Sequence, residues 1–281
     1  MASKFSTSFA AATVVLIATN IFAPQSANSE DLPKGEDIIT LANARDFGKD
    51  ALQTIQMRLI EKDGSVRERV TRGVGKSFDD SRRFALFFLE PSNVKGTALL
   101  TFDYDDAAKT DDQWLYLPAM RKTRRISGGE RGGAFLGTDF TFEDIKNQSR
   151  GSLVDRTWNT VGKEEVDGRQ CYAIEGIPTS PEIAKELGYS KLKTYIDIEL
   201  SLMRRTDFWD QSDTLFKTIS IRDYEQVDGI WTARTMEAKN LKTGHSTVFA
   251  ISEVRYNLGL PDEVFSAKTL ERGLPNSIVK P

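Results

Sequence analysis

The 281-residue chain has one cysteine, Cys171, and one histidine, His245. A single cysteine excludes an internal disulfide, so the fold must rest on its buried core. One histidine with no cysteine partner excludes a zinc site of the usual ligands. Any Ser-His-Asp triad would have to run through His245, and no Gly-x-Ser-x-Gly elbow is present. His245 stands beside Gly244, which predicts an exposed turn residue. Long apolar runs are also missing. The longest, Ala10 to Ala18, carries a threonine and falls short of the roughly 20 residues a membrane helix needs. There is no excess of positive charge, since 38 Lys and Arg face 41 Asp and Glu, which argues against nucleic acid as a partner. Gly73-Val74-Gly75-Lys76-Ser77 ends like a phosphate-binding loop, but Val70 stands where the pattern needs its first glycine, and the surroundings read as a hairpin.

The N-terminus reads as an export signal. Lys4 supplies a positive start, the short apolar run follows, and Ala27-Asn28-Ser29 offers small residues for cleavage after Ser29. No cysteine lies near that point, so lipid attachment there is excluded. Residues 1–29 are read as a signal peptide and 30–281 as one exported, monomeric domain. Sixteen Phe, seven Tyr and four Trp supply bulky core material.

Along the chain, Ile38, Leu41, Ala42 and Arg45 recur at helical spacing, predicting an amphipathic helix over 35–46 that Gly48 ends. Alternation then takes over. Ile55, Met57 and Leu59 mark a strand, and Asp63-Gly64 suits a two-residue turn into the strand 66–76. Residues 82–90 are apolar on both faces, which predicts a strand covered on both sides, and 97–104 form the next strand. Asp103, Asp105, Asp106, Asp111 and Asp112 lie in a polar stretch without calcium-loop spacing, and the expectation is a solvated loop. Further strands are expected at 158–165, 170–177, 193–200, 202–209, 215–226, 230–240 and 246–256, with a short helix at 181–187. Tight turns at regular spacing indicate an antiparallel meander, hence a sandwich or barrel. Phe265 and Leu270 are expected to anchor the tail.

The stretch from Gln113 to Asp144 stands apart. An apolar strand, Trp114 to Leu117, meets Pro118. A basic run follows, then a loop with Gly128, Gly129, Gly132 and Gly133, then an aromatic and acidic segment from Phe135. Arg121, Lys122, Arg124 and Arg125 suit either a solvated edge strand or a contact for phosphate or another acidic group. Phe135, Leu136, Phe140 and Phe142 suit either a docking segment or the wall of an apolar cavity.

These residues carry a resemblance. Pro91 with Lys95-Gly96-Thr97, the block Trp114 to Ala119 with Lys122 and Arg125-Ile126, the run Phe135-Leu136-Gly137-Thr138-Asp139-Phe140-Thr141-Phe142-Glu143-Asp144, and the tail Asn257 to Leu270 are similar to the outer-membrane lipoprotein-sorting protein family, relatives of the periplasmic carriers LolA and LolB. Thr138 departs mildly, since that position is often Ser. The resemblance implies a mainly β fold: a single curved antiparallel sheet of about eleven strands, an unclosed half barrel, with a few helices covering the concave face. It implies a periplasmic carrier that shields acyl chains of a lipid or lipoprotein, without catalytic residues or cofactor. An RND-type lipid exporter is the implied partner. The expected lipid-binding residues are Phe87, Leu89, Leu99, Trp114, Tyr116, Leu117, Phe135 and Phe140. Arg121, Lys122, Arg124, Arg125 and Arg131 are the expected contacts to headgroup or partner. A non-carrying adaptor of the exporter is the alternative, and an envelope enzyme using the Asp103–Asp112 acids a third reading. Residues 84–89 and 114–117 are apolar on both faces, so alternation does not say which face lines a cavity.

Overall fold

The computed structural model describes residues 1–2, 32–106, 108–147 and 150–279. The signal peptide expected at 1–29 lies, from residue 3 onward, outside the described residues, as does its cleavage point. No described helix is long and apolar enough to cross a membrane.

Helix α1, Gly35–Asn43, buries Ile38, Ile39 and Ala42 and exposes Leu41. It ends before Gly48, because the Ala44 N–H already closes on the Thr40 and Leu41 carbonyls. Six strands follow: β1 Asp50–Ile60, β2 Val66–Ser77, β3 Ser81–Glu90, β4 Ala98–Tyr104, β5 Asp112–Leu117 and β6 Lys122–Arg125. A long link holds helix α2, Phe142–Asn147. Then come β7 Arg156–Val166, β8 Arg169–Pro178, helix α3 Pro181–Leu187, β9 Lys191–Asp197, β10 Met203–Trp209, β11 Leu215–Val227, β12 Ile230–Asn240 and β13 Ser246–Tyr256. The tail carries helix α4, Ala267–Arg272.

Turn residues explain the registers. Asp167-Gly168 and Asp228-Gly229 have φ of 49°, 74°, 51° and 81°, the two-residue turns that continue strand twist. Asp63-Gly64 differs from expectation: Glu61 and Ser65 pair across three residues, with only Gly64 in the left-handed region. Pro181 starts α3 and the Ser180 hydroxyl caps it.

All thirteen strands join one antiparallel sheet in the order β6-β5-β4-β3-β2-β1-β13-β12-β11-β10-β9-β8-β7. The single unclosed antiparallel sheet implied by the resemblance is what forms, with thirteen strands in place of about eleven, and the sandwich that turn spacing also allowed is not. Two meanders meet where β1 pairs with β13, with Met57 opposite Phe249. This order has a consequence. β6 and β7 are neighbours in sequence but stand at opposite edges, so the link 126–155 must cross the sheet.

The link crosses the inner face. One continuous core gathers Ile55, Leu59, Phe84, Leu86, Leu99 and Leu115 from one meander, and Ile174, Ile196, Phe208, Ile219 and Phe249 from the other, around Phe135, Phe140, Phe142 and Ile145 of the link. α1 fills the same side: the Asn43 amide nitrogen donates to the Gly151 carbonyl at 2.7 Å, and the Gly151 N–H donates back at 3.0 Å.

The outer face of the first meander has its own cover. The buried Asp50 carboxylate accepts the N–H groups of Leu258, Gly259 and Leu260 at 2.7–3.0 Å, turning the tail back over the sheet. Leu260, Val264, Phe265 and Leu270 then pack on Leu52, Val74, Ala85, Phe87, Ala98 and Leu100. That second layer is why 84–89 are apolar on both faces, and Phe265 and Leu270 anchor the tail as expected.

Candidate functional site

The link's sequence builds a compact roof. Leu136 and Gly137, at φ 47° and 77°, make a tight turn that brings the Phe135 N–H to the Phe140 carbonyl at 2.8 Å. The buried Thr138 hydroxyl serves the carbonyls of Phe135 and Phe140, a task serine would also perform. Both rings point into the core: Phe135 lies against Phe88 and Phe142, and Phe140 stacks on Phe249 at 4.2 Å. Thr141 and Asp144 cap α2 reciprocally, side chain to backbone N–H, at 2.7 and 3.0 Å.

Polar pins fasten this roof to the sheet. The Asp139 N–H donates to the Thr247 hydroxyl, and the Asp139 carboxylate takes the Thr247 hydroxyl and the His245 ring. His245 is therefore not the exposed turn residue expected from sequence; its side chain is 14% exposed and bound to the roof. Lys217 donates to Asp144 at 2.7 Å, Arg69 to the Leu136 carbonyl at 2.8 Å, and Gln113 to the Phe142 carbonyl at 2.9 Å. Beneath α2 lies a buried ion cluster. Glu143 faces Lys146 at 3.3 Å, Arg156 at 3.8 Å and Arg131 at 4.0 Å. Burial alone would raise the Glu143 carboxyl, but these three cations outweigh it and hold the pKa at about 2. Lys146 also reaches Asp111, and Arg150 reaches Asp103 at 2.9 Å, so two acids of the expected solvated loop instead clamp the link. The glycine-rich loop is packed at Gly132: a Cβ there would meet the Glu186 carbonyl oxygen at 2.4 Å, where backbone bonds to backbone.

Under the roof lie two cavities. The larger, about 160 Å³, sits at one end of the strands among Ile55, Phe84, Leu86, Met236, Phe249 and Ile251, with the exposed Lys49 and Ser77 at its rim. Gly73 and Gly75 of β2 form part of its wall, so the stretch that mimics a phosphate loop serves by lacking side chains. The smaller, about 60 Å³, lies toward Trp158, Leu192, Phe208 and Ile219. Phe140, Asp144 and Met236 line both, and so form the partition between them. A dry apolar cavity near 150 Å³ admits benzene, so the larger cavity takes only a fragment of an acyl chain in this state.

The expected site residues scatter. Of the eight apolar candidates, Phe140 alone lines a cavity. Leu99, Phe135 and Leu117 belong to the inner core but are sealed beneath the roof or at its margin. Phe87, Trp114 and Tyr116 face outward under the tail, and Leu89, half-buried, lines neither cavity. The physical reason is the period of two: within β3 and β5 every second residue turns to the tail layer. The cations are mostly spoken for. Arg124 pairs with Glu130, Arg125 with Asp112, and Arg131 with Asp155 and Glu186. Arg121 and Lys122 remain exposed at the β6 edge, the solvated edge that sequence allowed. The cavity residues that sequence reasoning missed are Arg45, Phe47, Gly73, Gly75, Arg82, Tyr224 and Trp231. The paired glycines on one face of β2 were the signal for two of them.

An open antiparallel sheet with an apolar interior roofed by its own crossover defines the class: the fold is the LolA-like half barrel. A family model described as an uncharacterized protein matches residues 80–272. The chain belongs to the DUF1329 family. A DUF1329 protein from Desulfovibrio piger is similar at 30% identity and TM-score 0.77, over 84% of this chain and 97% of that one. A Vibrio parahaemolyticus protein described as an outer membrane lipoprotein-sorting domain is similar at 31% identity and TM-score 0.77, over 85% and 98%. A LolA superfamily protein from Nitrosomonas europaea shares the fold at 18% identity and TM-score 0.64, over 84% and 99%. No curated protein matches the chain.

Proposed function

We propose that this protein is a periplasmic carrier that shields acyl chains of a lipid or lipoprotein on its way toward the outer membrane, with no catalytic step of its own. One observation carries the reading. The link 126–155 spans an otherwise apolar inner face from edge to edge and divides it into two cavities, held by polar pins rather than by strand pairing. Long links of this kind inside a compact domain are commonly lids. If the Phe140 partition lifts, the two cavities become one trough lined from both meanders. Each methylene buried there contributes about 0.8 kcal/mol. Release then follows closure of the roof or transfer to a tighter acceptor. The export signal read at 1–29 and the lipoprotein-sorting relative support the compartment.

Native mass spectrometry on the exported protein from a periplasmic extract tests this. A bound species of lipid mass, released by organic solvent, supports the carrier. A clean apo mass, with no uptake of added phospholipid or acylated peptide, overturns it.

Arg121 and Lys122 favour a second reading, a non-carrying adaptor of an RND-type exporter. They stand exposed at the sheet edge beside Met120, itself 65% exposed. Capture of such an exporter by lipid-free protein, lost on Arg121→Glu with Lys122→Glu, would favour it.

A further inference from the structure

Among the described residues, the rim of the larger cavity holds two half-buried cations without an ion pair, beside the exposed and likewise unpaired Lys49. Arg45 follows α1, and Arg82 opens β3; both line the cavity and both are half-buried. Their guanidinium carbons lie 4.9 and 4.4 Å from the centre of one ring, Phe47. Among the described residues neither forms an ion pair. Among those residues Arg45 donates only to the Ala42 carbonyl, and Arg82 donates to none. This is unusual in a chain where nearly every other half-buried cation has a carboxylate. Arg131, Arg150, Arg156, Lys146 and Lys217 are all paired. The acids close by are occupied or distant. Asp103, which Arg150 bonds, and Asp105 both act on Arg82 without pairing with it. Asp50, also on the rim, is filled by three backbone N–H groups, and Asp144 is filled by Lys217.

Burial, and then the charges of Arg150 and of Arg45 itself, push Arg82 down to about 10. Burial also lowers Arg45. Two half-buried like charges set on one ring destabilise the empty protein, and an anion within reach of both reverses the sign of that interaction.

We propose that Arg45 and Arg82, set against Phe47, form the anion site of the cavity and hold the phosphate group of an anionic lipid whose acyl chain lies under the roof. This rests on the carrier reading and names its headgroup class. Guanidinium groups suit phosphate because their planar N–H pairs match two oxygens at once. The apolar wall begins at the same rim, with Phe84 beside Arg82 on β3 and Ile55 and Ile251 beyond. A headgroup held there directs its chain into the cavity. The basic run 121–131, by contrast, lines neither cavity and is largely paired within the protein.

The test compares three probes on the exported protein: a single-chain phosphatidylglycerol, a monoacylglycerol of the same chain, and inorganic phosphate. Each is measured on wild type and on Arg45→Gln with Arg82→Gln. The expected result is that wild type prefers the anionic lipid to the neutral one by about tenfold to a hundredfold. The double variant should lose that preference and keep its affinity for the neutral lipid. Inorganic phosphate should compete only at millimolar concentration, since it brings no chain. Equal wild-type affinity for the two lipids, or a preference that survives in the double variant, overturns the anion site and leaves the carrier standing. Tight binding of phosphate alone, undiminished when the chain is absent, overturns the assignment to a lipid headgroup. No uptake of either lipid overturns the carrier reading and the site together. Circular dichroism and Tm of the variant guard against misfolding, and the single variants, each keeping one guanidinium, should fall between the extremes.

Discussion

Filling the cavity from β2 should separate stability from loading. Gly75 faces inward opposite Ala51, in the wall of the larger cavity. A Cβ placed there meets Phe84 at 3.7 Å, an ordinary contact, and the backbone is not in the left-handed region. Gly75→Leu therefore fits without strain. Its four side-chain carbons occupy about two thirds of a space comparable to one that admits benzene. Displacing about three methylenes of an acyl chain, at roughly 0.8 kcal/mol each, costs about 2–3 kcal/mol of binding. That is a Kd about 30- to 100-fold weaker. Stability should move the other way, because glycine inside a strand is destabilising by roughly 0.5–1 kcal/mol. Displacement of a fluorescent fatty-acid probe gives the Kd, and thermal melting gives Tm. A variant with undiminished Tm and a Kd within about threefold of wild type would refute the assignment of this cavity to the acyl chain.

Other perturbations address the roof and the layers. Glu143→Gln leaves the buried Arg156 without a carboxylate and takes one from Lys146 and Arg131, and should cost about 3–5 kcal/mol. The sign with pH follows from the depressed carboxyl: its contribution is full above about 4.5 and is lost as pH falls toward about 2. The variant's stability should therefore vary less than wild type's over that window; an unchanged acid-unfolding profile would contradict the cluster. Phe140→Ala removes the partition and the stack on Phe249, at a cost of about 3–5 kcal/mol, and should admit longer chains. Unaltered chain-length preference in the folded variant, by native mass spectrometry, would count against a partition. Phe87→Ala should lower stability by a similar amount while leaving acyl affinity unchanged, because Phe87 packs under the tail. A selective loss of lipid binding there would place the cavity on the wrong face. Asp139→Ala should free the roof from Thr247 and His245 and speed amide exchange across 134–141. Exchange at the wild-type rate would show that these pins do not hold it.

The amino-acid order alone set the strands and many of the turns. Alternation is local, and Asp167-Gly168 and Asp228-Gly229 carry the left-handed conformations that fix two hairpins. It also singled out 113–144, because aromatics, glycines and charges crowd there as they do nowhere else in the chain. It did not determine the side on which anything acts. A period of two sorts residues onto two faces without saying which is inner. β3 is apolar on both because the link covers one face and the tail the other. Nor did it reveal which cations remain unpaired. Arg124 and Arg131 meet their acids in the link and α3, whereas Arg45 and Arg82, unremarkable in sequence, share the Phe47 ring and form no ion pair among the described residues. Cavity and charge balance are long-range quantities. They exist only once β1 pairs with β13 and the crossover from β6 to β7 is drawn over the inner face, bringing residues far apart in the chain to one rim.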